Sequence, residues 1–139
     1  MRIMVIDDDI TSRLLLRKLL SGYGNCELED SGKAALGTFL KALGEDAPFD
    51  LIFLDILMPE MDGHEFLQTV RQMEDQWAVP PGREVKVVMT TSLNSPKEAT
   101  KAFFKGLATG YLVKPVDKKA IDGVISELFA GGLPGERSG

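Results

Sequence analysis

The sequence predicts an α/β fold, a doubly wound parallel sheet with helices on both faces. Three observations point there: short apolar runs rich in β-branched residues recur along the chain, segments of helical period separate them, and polar reactive residues end the runs. Alternation of this kind implies parallel strands joined by right-handed crossovers.

The first run, at residues 2 to 6, ends in Asp7-Asp8-Asp9. Leu15, Leu16, Leu19 and Leu20 mark a first helix, with Asp9 as an acid near the positive end of its dipole. Cys26-Glu27-Leu28-Glu29 alternates apolar and acidic residues, which predicts a strand at the sheet edge with one wet face. Leu36, Phe39, Leu40 and Leu43 stand at i, i+3, i+4 and i+7 and predict a second helix. The run at 50 to 54 then ends in Asp55.

Phe66, Leu67, Val70 and Met73 predict a third helix, followed by a long Pro-containing connection read from Glu74 through Trp77 to Arg83. The run at 85 to 90 leads into Thr90-Thr91-Ser92. Ser95-Pro96-Lys97-Glu98 is a capping box with Pro at the first helical position, and opens a fourth helix carrying Ala99, Ala102, Phe103 and Gly106. The last run, 111 to 113, ends in Lys114-Pro115, and Asp117 caps a fifth helix with Ile121, Val124, Ile125 and Leu128 on one stripe. The four runs other than the Cys26 segment are continuous rather than alternating, so they are expected as interior strands buried on both faces. Residues 1 to 130 form one domain in this reading, and the Gly-rich segment 131 to 139 is a flexible tail.

With 139 residues, 44% of them hydrophobic, the chain has enough apolar material for one core. A net charge of -5 argues against a sequence-independent grip on nucleic-acid phosphates, which needs clustered Lys and Arg. The longest apolar stretches fall far short of the ~20 residues of a membrane span, and Met1-Arg2 leads into a strand rather than a signal peptide, so a cytoplasmic protein without membrane partner is expected. One cysteine, Cys26, and one histidine, His64, leave no disulfide, CxxC motif or zinc cluster. Cys26 reads as a small strand residue of the core, and His64 as a surface residue opening the third helix.

An acid cluster, a lone Asp in LIFLDILMPEMDG (residues 51 to 63), a hydroxyl pair and a Lys-Pro therefore fall at four strand ends. Ligands of doubly wound sheets bind at the carboxyl ends of the strands. In that order and spacing these elements resemble the receiver domain of two-component response regulators, especially single-domain ones like the chemotaxis response regulator. The resemblance covers residues 2 to 130 and implies a five-stranded (βα)5 sheet of strand order 2-1-3-4-5.

It further implies roles. Asp55 would be the phosphoacceptor, and Asp7, Asp8, Asp55 and the backbone carbonyl of Leu57 would hold Mg2+, with Asp7 acting through water. Hard carboxylate oxygens in close company suit that ion on chemical grounds as well. Thr91 and Lys114 would bind the phosphoryl oxygens, and Thr91 and Tyr111 would form a switch. Leu57 and Leu93 would flank the path of attacking water. The implied partners are a sensor histidine kinase or phosphotransfer protein, and a downstream protein met by the face of the fourth helix, fifth strand and fifth helix, with Lys97, Lys101, Phe104, Tyr111 and Lys118. Such a domain promotes its own phosphorylation and dephosphorylation and is not a turnover enzyme.

Two other readings compete. IMVIDDDIT also fits the opening motif of haloacid dehalogenase-like phosphatases, with Asp7 as nucleophile and Asp9 as acid/base. That family needs a late acidic metal motif, where this chain has only Asp117 and Asp122, and it leaves Asp55 unexplained. The other reading is a receiver-shaped interaction module that is not phosphorylated, against which the intact polar set argues.

Overall fold

In a computed structural model of the protein, residues 1–56, 61, 63–91 and 108–134 are described. Five parallel strands, β1 (Arg2–Ile6), β2 (Asn25–Glu29), β3 (Leu51–Asp55), β4 (Lys86–Thr91) and β5 (Gly110–Val113), form one sheet of order β2-β1-β3-β4-β5. Among the described residues the helices are α1 (Ile10–Leu20), α2 (Gly32–Gly44), α3 (Gly63–Gln76) and α4 (Lys118–Leu128), the last being the fifth helix expected from the sequence. The segment expected to form the fourth, with Ser95, Lys97, Lys101, Phe103 and Phe104, lies outside the described residues, as do Leu57 and Leu93.

The cores lie on the two faces of the sheet. Successive strand residues point to opposite faces, and the clusters follow that alternation. Ile3, Val5, Leu51, Phe53 and Val88 pack with Leu16 and Leu20 of α1 and Ile121 and Ile125 of α4. On the other face Met4, Ile6, Ile52, Leu54, Val87 and Met89 pack with Phe39 of α2 and Phe66, Leu67 and Val70 of α3. Each such side chain contributes roughly 1.5–3 kcal/mol through burial, and removal of a phenylalanine such as Phe53 would cost about 3–5 kcal/mol.

Helix ends follow local chemistry. Asp9 caps α1 by accepting from Ser12 N–H, Ser31 caps α2 through Ala34 N–H, and Asp117 caps α4 through Ala120 N–H. At the other end of the sheet, Arg2 bonds Glu27 and the Ala47 carbonyl and lies over the Phe49 ring, 4.3 Å from its centre. There too a cavity of about 500 Å³ opens among Phe49, Trp77, Val79, Val85 and Phe129, around the entries to β3 and β4.

Some expectations need correction. The run at 111 to 113 is an edge strand, and Tyr111 is 42% exposed, because among the described residues β5 has a hydrogen-bonded neighbour on one side only. Leu15 and Leu40 belong to the expected helix stripes but are exposed, since the sheet-facing stripe of α1 runs through Leu16 and Leu20 and that of α2 through Ala35, Phe39 and Ala42. Glu74 is helical rather than part of an irregular connection, and is buried: it takes Arg71 Nη1 at 2.6 Å and Val85 N–H at 2.7 Å, tying α3 to the entry of β4. After α4, Gly132 N–H donates to the Phe129 carbonyl and Leu133 packs against the core.

Candidate functional site

Strand register builds the site. Ile6 lies opposite Leu54, so the next residues, Asp7 and Asp55, leave β1 and β3 side by side, and Asp55 is in turn opposite Thr90 of β4. All three stand at the carboxyl edge of the sheet, where the strand order turns back at β1 and β3.

Asp7 is wholly buried, and its chain is fixed from several directions. Its N–H donates to the Glu29 carbonyl, its Oδ1 accepts from Asp9 N–H at 2.9 Å, and Arg13 Nη1 donates to its carbonyl at 2.6 Å. Its Oδ2 accepts from Lys114 Nζ at 2.8 Å. Lys114 also stands 3.6 Å from Asp55 Oδ2 and is anchored at its backbone, where its N–H donates to the Thr91 carbonyl at 2.7 Å. The Lys114-Pro115 bond is cis. Desolvation pulls the lysine pKa down, but the Asp7 hydrogen bond and the charges of Asp55 and Asp7 outweigh it, so the ammonium is held above its ordinary range.

Asp8, one residue on, is exposed, and carboxylate oxygens of Asp7, Asp8 and Asp55 lie within 4.8 Å of one another. One lysine cannot neutralise three such charges, and a hard divalent cation fits an all-oxygen set of this kind. Asp9 stays out of the cluster, because its carboxylate caps α1 and accepts from Ser12 Oγ at 2.9 Å. The Ser12 bonds hold its pKa below the ordinary carboxylate value.

Ile56 and Gly63, on either side of the segment after Asp55, are tied by backbone bonds. Ile56 N–H donates to the Thr90 carbonyl, and Gly63 N–H returns to the Ile56 carbonyl at 3.1 Å. A Cβ at Gly63 would meet Ile56 Cα at 3.0 Å, so the glycine allows α3 to begin directly against Ile56, the residue after Asp55. Thr91 ends β4 and is buried, whereas Tyr111 is exposed on β5. Asp7, Asp8, Asp55, Thr91 and Lys114 thus gather at one edge, and the Leu57 carbonyl lies outside the described residues.

Acids and a lysine at the carboxyl edge of a doubly wound sheet stand where ligands of that fold class bind. Residues 3–126 match the family model of the response regulator receiver domain, and the chain belongs to that family, a signalling module of two-component systems. It is 33% identical over 129 residues to the transcriptional regulatory protein ZraR of Escherichia coli, covering 92% of this chain and 26% of that protein. It is 29% identical over 133 residues to hybrid signal transduction histidine kinase L of Dictyostelium discoideum, with 94% and 7% covered. The chain therefore spans about a quarter or less of the length of these relatives.

Among solved structures, the receiver domain of the histidine kinase CKI1 from Arabidopsis thaliana, complexed with Mg2+ and BeF3-, superposes with a TM-score of 0.77 at 29% identity, covering 93% of this chain and 89% of that one. The chemotaxis protein CheY4 of Vibrio cholerae gives 0.72 at 30% identity, covering 92% and 98%.

Proposed function

We propose that Asp55 is the phosphoacceptor and that the chain takes a phosphoryl group from a phosphohistidine on a sensor kinase or phosphotransfer protein. The observation that supports it most directly is the position of Lys114, whose ammonium stands against Asp7 and 3.6 Å from Asp55, a largely buried carboxylate at a strand end whose side chain is 11% exposed. An Asp55 oxygen attacks phosphorus, the O–P bond forms, and the N–P bond to histidine breaks. The enzyme-like part of such a transfer is alignment and charge balance, and Lys114 and the Thr91 hydroxyl supply both at the phosphoryl oxygens.

Asp7, Asp8, Asp55 and the Leu57 carbonyl would hold Mg2+, which when bound neutralises charge gathering on the phosphoryl oxygens. The CKI1 receiver, which binds that ion with BeF3-, supports the assignment by likeness. Each chain carries one phosphoryl group, so the domain is a stoichiometric carrier rather than a turnover enzyme. Its output is a protein contact at the face containing β5 and α4, with Tyr111 as switch aromatic and Lys118 on its rim. Among the described residues no helix is long and apolar enough to cross a membrane.

The test is phosphoryl mass gain with acetyl phosphate and magnesium. Wild type should gain one phosphoryl group and Asp55→Asn none. Label kept in Asp55→Asn but lost in Asp7→Asn would move the nucleophile to Asp7 and restore the phosphatase reading.

A further inference from the structure

Thr90 is 1% exposed, and its hydroxyl finds no hydrogen-bond partner among the described residues. Burying a hydroxyl unpaired is costly, and valine would fill nearly the same volume without that cost, as Val87 and Val88 do on the same strand. Position accounts for it. Thr90 is the Cα partner of Asp55 on one side and of Leu112 on the other.

The packing fixes which way it faces. Val88 and Leu112 belong to the α1 and α4 side of the sheet and Met89 to the other, so alternation places Thr90 in one row with Asp7 and Asp55, with Thr91 following it as the last residue of β4. Lys114 follows β5 by one residue, yet its ammonium reaches Asp55 on β3 and Asp7 beyond β1. By strand order, its side chain has to cross β4. Thr90 is the last described residue of β4 on the face beneath that crossing.

We infer that Thr90 is a positioning residue for Lys114, its hydroxyl being a second acceptor for the ammonium beside Asp55. The inference rests on the reading of Asp55 as phosphoacceptor. In the resting protein the ammonium is drawn to Asp7. When Asp7 is engaged elsewhere and charge builds beside Asp55, the lysine has to sit nearer β3, and a hydroxyl lone pair in the same row holds it there while its other protons stay free for phosphoryl oxygens. A carboxylate at this position would compete for the ammonium, and an aliphatic group would leave it unsupported.

The experiment compares Thr90→Val and Thr90→Ser in the full chain, labelled with acetyl phosphate and magnesium. Thr90→Val should melt at or above the wild-type temperature, because an unpaired buried hydroxyl is gone, yet its maximal labelling rate should fall about tenfold, the kinetic equivalent of one lost hydrogen bond. Thr90→Ser should recover most of that rate. Half-saturating acetyl phosphate should stay the same in all three proteins. In a Lys114→Ala background, Thr90→Val should add no further loss, since the group it positions is absent.

Wild-type labelling in Thr90→Val, or a loss that persists undiminished in the Lys114→Ala background, overturns the inference while leaving Asp55 as acceptor. Absence of label in the wild type overturns the phosphoacceptor reading itself, and the role of Thr90 with it.

Discussion

Lys114 and Asp7, 107 residues apart in the chain, meet at 2.8 Å beneath the carboxyl edge of the sheet. The pair joins the first loop to the last strand across the position of Asp55. Its two partners differ in exposure: the Asp7 side chain is essentially sealed, while the Lys114 side chain is partly open.

That asymmetry sets the first prediction. Lys114→Ala leaves a buried carboxylate without its cation, so the magnesium-free variant should lose about 1–3 kcal/mol of stability. Magnesium should return more stability to the variant than to the wild type, since the ion then has no ammonium to displace, and Asp8→Asn should weaken magnesium binding in both. Thermal melts and calorimetry with and without magnesium check this. A variant as stable as wild type in the absence of magnesium would mean that Asp7 does not depend on Lys114.

Gly63→Ala should disturb the site from outside it. The added methyl would press on the Met89 methyl at 2.9 Å and Ile56 Cα at 3.0 Å. Met89 can yield, but the backbone next to Asp55 cannot do so without moving Asp55. An overpacking cost of about 1–3 kcal/mol is expected, with slower labelling at Asp55. Denaturant unfolding together with labelling rate separates the two effects, and an unchanged rate would show that the loop adjusts without carrying Asp55 along.

Glu74 should matter to stability alone. Glu74→Ala strips Arg71 of a carboxylate and Val85 N–H of its acceptor, at a cost of about 2–4 kcal/mol. Glu74→Gln, which still accepts from Val85, should lose less. Labelling rates of the folded variants should match wild type, because this cluster is at the far end of the sheet.

The Tyr23 and Asp122 pair makes a pH prediction. Tyr23 Oη donates to Asp122 Oδ1 at 2.6 Å, and that bond, then burial, then the Asp122 charge push the phenol up to about 12 from its ordinary 10.0. The unfolded chain loses this proton near pH 10 and the folded protein keeps it longer. The stability it contributes is therefore fully present below pH 10 and lost as pH rises toward 12. Asp122, lowered by Lys118 first and Tyr23 second, acts in the opposite range: its contribution is present above the ordinary 3.8 and lost as pH falls through its lowered folded value. Chemical denaturation from pH 9 to 12 should show a steeper loss in wild type than in Tyr23→Phe. Parallel curves would mean that the bond contributes nothing in solution.

The strand ends were legible in the sequence because each apolar run stops at a residue that water or a ligand has to satisfy. Asp7, Asp55 and Lys114 stand out for that reason, and Asp117 for its place before a helical stripe. What stayed hidden depends on pairing across the sheet. Nothing local to Glu74 distinguishes it from a solvated helix acid, since its partner Val85 lies on the next strand. Two adjacent threonines look interchangeable until register opposes Thr90 to Asp55. The strand order implied by the family puts β5 at the sheet edge, but its continuous apolar run alone does not show it, because the exposed members Tyr111 and Val113 carry the same hydrophobic signal as buried ones.

Trp77, half exposed at the cavity around the strand entries, is the sole tryptophan of the chain. The five residues of β3 separate that end from the site, a span of ~17 Å at ~3.3 Å per residue. Its intrinsic fluorescence is therefore an optical gauge of how firmly α3 and the entry of β4 hold together. Phosphorylation followed by tryptophan emission would be read from a lamp placed at the wrong end of the molecule; a second tryptophan near Ile56 would bring the signal to the chemistry.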